Sequence, residues 1–72
     1  MNTLFPEGLR VYLTDAINPE TPPYRLRELA NHGEWLVRSL VAKNPSTPAL
    51  SIELLVRDSH PLVRQAAYDG RR

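Results

Sequence analysis

The 72-residue sequence predicts an all-α fold, a short solenoid of about two and a half helical repeats with a 26-residue period, on three observations. Shifted by 26 residues, Ala16-Ile17-Asn18-Pro19-Glu20-Thr21-Pro22 aligns with Ala42-Lys43-Asn44-Pro45-Ser46-Thr47-Pro48, and Leu36-Val37-Arg38 aligns with Leu62-Val63-Arg64. Within each unit the apolar residues recur at helical spacing, as Leu26, Leu29 and Ala30, then as Ile52, Leu55 and Val56. Most of the seven prolines keep step with the repeat instead of scattering as they would in a disordered chain. A period of about 20 to 50 residues marks units that bury their apolar faces only against neighbours.

The elements follow in order. Pro6 and Glu7 open a first helix in which Leu9, Leu13, Ala16 and Ile17 share a face. Asn18-Pro19 ends it, because a residue before proline avoids the helical region. Thr21 and Thr47 each precede a proline, so their hydroxyls are expected to cap helices in which Pro22 and Pro48 take the first position. Asn31-His32-Gly33 and Asp58-Ser59-His60-Pro61 punctuate the chain before second helices through Leu36–Val41 and Leu62–Ala67. Asn44-Pro45 closes the earlier of these. Residues 1–72 thus read as one repeat domain, with an N-terminal half unit at 1–17, a full repeat at 18–43 and a last repeat at 44–72. Thr14 and Asp15 at one end, and Ala66 and Ala67 at the other, stand where the middle unit has Leu40 and Val41. Such toned-down ends lead us to expect a complete short array.

The Asn-Pro-x-Thr-Pro turn, Leu-x-x-Leu-Ala and Leu-Val-Arg together resemble the leucine-rich repeat variant family, bacterial solenoids similar in style to HEAT repeats. The resemblance covers Ala16 to about Tyr68. It implies a right-handed superhelix of α-helices alternating with shorter, often 3₁₀, helices, and an interaction surface instead of a particular activity. The iron-sulfur segment of some members does not carry over, because this chain has no cysteine.

Composition excludes several function classes. One core is all that 72 residues can build, which leaves no deep interdomain cleft. A formal charge of +1 creates no global field for nucleic acid or an anionic membrane, so a basic site must be a local patch. Without cysteine there is no disulfide framework or thiolate metal site. With no apolar run beyond about four residues, we expect neither a signal peptide nor a membrane span, and a cytoplasmic protein. Ser39, Ser46, Ser51 and Ser59 lie outside any Gly-x-Ser-x-Gly context and no glycine-rich phosphate loop occurs, so no catalytic residue, cofactor or metal is assigned. His32 aligns with Asp58 and Glu34 with His60, a pairing able to offer metal ligands but read more simply as turn polarity.

The function expected is therefore that of a non-enzymatic repeat module binding a protein or peptide. Its candidate contacts are Trp35, Arg38 and Arg64, and a homodimer through an end face showing Leu62, Ala66 and Tyr68 is a further expectation. The alternative is nucleic-acid binding by Arg25, Arg27, Arg38, Lys43, Arg64, Arg71 and Arg72, provided that they share a face. Asn18, Pro19, Thr21, Pro22, Asn44, Pro45, Thr47, Pro48 and Asp58 are assigned to structural turns, and Asp58 is expected to close its turn by pairing with Arg64.

Overall fold

The structure is a computed structural model that describes residues 7–71. The described residues form five α-helices: α1 (Glu7–Ile17), α2 (Pro23–Leu29), α3 (Trp35–Lys43), α4 (Ala49–Leu55) and α5 (Pro61–Gly70). Pro6, expected to open the first helix, lies outside the described residues. Each helix turns an apolar stripe inward, and these stripes merge into one core of Ala16, Leu26, Leu29, Val37, Val41, Ala42, Ile52, Leu55, Val56, Val63, Ala66 and Ala67.

This architecture overturns the solenoid expectation. The most extensive helix interface joins α3 to α5, which are not consecutive in the chain, and the next joins α1 to α3. Helix α3 touches each of the other four. The radius of gyration is 11.5 Å, close to the roughly 11 Å of a compact domain of this length. A sequence repeat is therefore not a row of stacked units here: the chain is a compact bundle centred on α3. The physical reason is core size. Helices α2 and α4 have seven residues each and bury only Leu26 and Leu29, or Ser51, Ile52 and Leu55. So few side chains cannot hold a separate unit, and sharing a single core around α3 buries more apolar surface. The short helices are α-helical, not 3₁₀ as the resemblance implies.

Turn chemistry also departs from expectation. Thr21 and Thr47 do not cap the helices that follow them; Pro22 and Pro48 occupy those positions without a side-chain cap. The hydroxyls look backward instead. Thr21 Oγ1 donates to the Asp15 carbonyl at 2.7 Å and Thr47 Oγ1 to the Val41 carbonyl at 2.6 Å, which also accepts the Asn44 N–H, so each hydroxyl serves the end of the preceding helix. Asn18 and Asn44 accept the N–H two residues ahead, from Glu20 and Ser46, and so form Asx turns.

Asn44 does more than its counterpart. It is buried, and its Nδ2 donates to the carbonyls of Ala16 at 2.8 Å and Asn18 at 3.0 Å, fastening the end of α3 to the end of α1. One period later stands Gly70, where a Cβ would lie 2.6 Å from the Ala42 carbonyl oxygen. Glycine lets the end of α5 close on the end of α3.

Candidate functional site

The densest polar cluster lies where the α2–α3 and α4–α5 turns meet. Arg38, on α3, donates from Nε to Asp58 Oδ2 at 2.8 Å and from Nη2 to Asp58 Oδ1 at 3.0 Å. Its Nη1 donates to the carbonyls of His32 at 2.7 Å and Gly33 at 3.1 Å. One guanidinium thus binds its own turn with one edge and the next turn with the other. The Asp58 carboxylate also accepts the His60 N–H at 2.9 Å. The pair is nearly closed to solvent, with side chains 14% and 9% exposed. Burial pushes the Asp58 carboxyl up, but the hydrogen bonds from Arg38 and the His60 N–H outweigh it and hold the group below its ordinary value. Hydrogen bonding to Asp58 correspondingly raises Arg38.

Arg64 is built differently from the sequence expectation. It meets Asp58 through the main chain, Nη1 donating to the Asp58 carbonyl at 2.7 Å, while the carboxylate belongs to Arg38. Asp58 does close the turn, but its charge partner lies 20 residues away instead of six. A position in the chain next to an acid was visible; which arginine the bundle would deliver to it was not.

Trp35 stacks on His60, with ring centroids 4.2 Å apart and planes 13° apart. Half-buried, it packs against the core and lines one end of a groove of about 320 Å³ between α3 and α5. Leu36, Leu40, Leu62 and Ala66 form the groove walls, and Lys43 and Asp69 stand at its other end. Trp35 and Arg38 therefore serve one junction, Trp35 through His60 and Arg38 through Asp58, and of the two only Trp35 lines the groove. Ala66, expected on an end face, is buried at 3% exposure.

The histidines hold turns. His32 Nδ1 accepts the Glu34 N–H, and His60 Nδ1 accepts the Leu62 N–H to cap α5. Among the described residues no three His, Asp or Glu side chains gather as metal ligands. Nor do the basic residues make one free stripe: Arg25 pairs with Asp15 and Glu28, Arg38 with Asp58, and Arg71 with Glu53, while Arg72 lies outside the described residues. Sequence reasoning missed His60 as the platform under Trp35 and Gly70 as the close approach to α3. The Ser-His-Pro before α5 was the available signal for the first, and the period linking Asn18, Asn44 and Gly70 for the second.

Helices α3 and α5 occupy matching places in the repeat and end in different surroundings. On α3, Trp35 is covered by His60, Arg38 by Asp58 and Ala42 by Gly70. The matching positions on α5 are Pro61, Arg64 and Tyr68, which share one helix face at i, i+3 and i+7. Pro61 is exposed, Tyr68 is 56% exposed, and Arg64 is half-buried with only its Nη1 engaged. Among the described residues no helix is long and apolar enough to cross a membrane.

Compared with known proteins, the chain matches no family model, no curated protein and no solved structure. The resemblance to the leucine-rich repeat variant family therefore fails on two counts, sequence comparison and the compact bundle, and the repeat-module function drawn from it falls as well.

Proposed function

We propose that this bundle is a non-catalytic docking domain of the cell interior that receives another protein on the outer face of α5. The observation that carries the reading is the contrast between α3 and α5: the face of Trp35, Arg38 and Ala42 is covered within the molecule, while Pro61 and Tyr68 are exposed, with only the Arg71 guanidinium over the Tyr68 ring at 5.7 Å, and the half-buried Arg64 keeps one edge free. An aromatic ring beside a partly engaged arginine is the composition of interface anchors. Charge favours a partner of different sequence. The free edge of Arg64 calls for an acid, and the face of Pro61, Arg64 and Tyr68 carries none, so a second copy of the same face does not complement it. Nucleic acid is disfavoured because Arg25, Arg38 and Arg71 already face carboxylates.

The test is site-specific photocross-linking in the source cell, with a benzophenone side chain at position 68 and, as a control, at position 24. Tyr24 is a comparably exposed tyrosine, at 62%, on α2. A discrete protein adduct from position 68 and none from position 24 supports the reading. Equal adducts from both, adducts removed by nuclease, a product of twice 8.2 kDa, or no adduct from position 68 overturns it.

A further inference from the structure

Arg38 and Arg64 stand at one position of the repeat, and each makes the same first contact. Nη1 donates to the carbonyl six residues earlier at 2.7 Å, to His32 for Arg38 and to Asp58 for Arg64. In Arg38 this bond fixes the guanidinium so that its other edge, Nε with Nη2, presents two parallel donors to the carboxylate of Asp58. In Arg64 the same edge meets no acceptor among the described residues. No buried side-chain nitrogen or oxygen among them lacks a partner, so this edge opens to solvent. The molecule therefore carries one filled fork and one empty fork, and the filled one shows what the geometry accepts.

We propose that the Nε–Nη2 edge of Arg64 is a carboxylate-binding site, which takes an Asp or Glu side chain of the protein docked on α5. The proposal rests on the docking reading and adds the chemistry of the partner. Three features support a carboxylate. A planar fork matches two carboxylate oxygens in bidentate fashion. The Nη1 bond orders the side chain before a ligand arrives, so less conformational freedom is lost on binding. The neighbourhood lacks a competing acid on the same helix face, since Asp69 lines the groove between α3 and α5 together with Gln65 and Leu62, not the face of Arg64 and Tyr68. The partner predicted is an acidic segment whose carboxylate arrives beside an apolar or aromatic group able to cover the part of Tyr68 that Arg71 leaves exposed.

The experiment follows the Arg Nε–Hε signals of the ¹⁵N-labelled chain by NMR while sodium acetate is added, with sodium chloride as the ionic-strength control. Acetate should move the Arg64 signal saturably, with an apparent dissociation constant at least about threefold below that of the exposed Arg27, while Arg38 stays unmoved because Asp58 fills its fork. Arg64→Lys keeps the charge and lacks the fork, so the Tyr68 amide should lose its response to acetate while the amide spectrum away from the Asp58 turn is unchanged. An Arg64 signal that moves no more than that of Arg27, or that prefers inorganic phosphate to acetate, overturns the carboxylate assignment. Cross-linking at position 68 with no acetate response leaves a docking face of other chemistry, whereas an acetate response without cross-linking leaves the fork but removes the docked protein. The two readings can therefore fail separately.

Discussion

Arg38 and Arg64 sit one repeat apart, in identical Leu-Val-Arg contexts, and end in different states. Arg38 has a carboxylate and two carbonyls, in a pair whose side chains are 14% and 9% exposed. Arg64 has one carbonyl and an open edge. Local sequence supplies the same side chain and the same Nη1 contact to both. The difference arises because α4 and α5 follow α3 and bring Asp58 to Arg38, and no later described element does the same for Arg64. An identical motif can thus be structural in the interior of a bundle and available at its edge.

Removing each guanidinium in turn should separate the two arginines most strongly. Arg38→Gln leaves Asp58 nearly buried without its countercharge and should cost about 3–5 kcal/mol, a large share of a small domain's stability. Arg64→Gln gives up one carbonyl contact at a half-exposed site and should cost about 1 kcal/mol or less. Urea unfolding of both variants measures the gap, and equal losses would mean that the two arginines hold the bundle alike.

Next comes the close approach at the end of α5. A Cβ at Gly70 would stand 2.6 Å from the Ala42 carbonyl oxygen, and backbone cannot swing aside as a flexible side chain can. Gly70→Ala should cost about 1–3 kcal/mol by forcing the two helices apart. Gly33→Ala meets no atom within 4 Å and serves as the control, expected within about 0.5 kcal/mol of the parent in thermal unfolding.

A smaller effect tests the turns. Thr47→Val and Thr21→Val each delete a hydroxyl that donates to the carbonyl of Val41 or Asp15, and each should cost about 1 kcal/mol. Similar losses in both would confirm that the two turns are equivalent even though the helices they join are arranged differently.

The last test sharpens the Arg38–Asp58 pair through pH. The folded carboxyl of Asp58 is lowered because hydrogen bonds from Arg38 and His60 outweigh burial. Its stabilisation is whole above the unfolded value of about 3.9 and fades as pH falls through the lower folded value. Urea midpoints between pH 6 and pH 2 should drop below about pH 4 in the parent. Asp58→Asn, less stable throughout, should lose less across that window.

Much of the secondary structure was legible in the residues themselves. Leu26 with Leu29, and Ile52 with Leu55, mark buried stripes at helical spacing, and Asn-Pro pairs end α1 and α3 where proline forbids a continued helix. Of the candidate site, the placement of Arg38 and Arg64 one period apart, and of Trp35 and Asp58 at the turns, was legible. Their partners were not. The pairing of Arg38 with Asp58 spans 20 residues, and the stacking of Trp35 on His60 spans 25, distances over which spacing carries no geometric information.

Hydrophobic period and proline act within a few residues, so five amphipathic helices and the positions of the turns between them could be read from the residues alone. Packing across the bundle set the rest: α3 and α5 meet most extensively, Thr21 and Thr47 serve the helices behind them, and Asp58 belongs to Arg38. The reason is that a repeated pattern specifies which faces must be buried but not against which helix. In a chain of this size the answer is set by the single packing that gathers Val37, Val41, Val63 and Ala67 into one core.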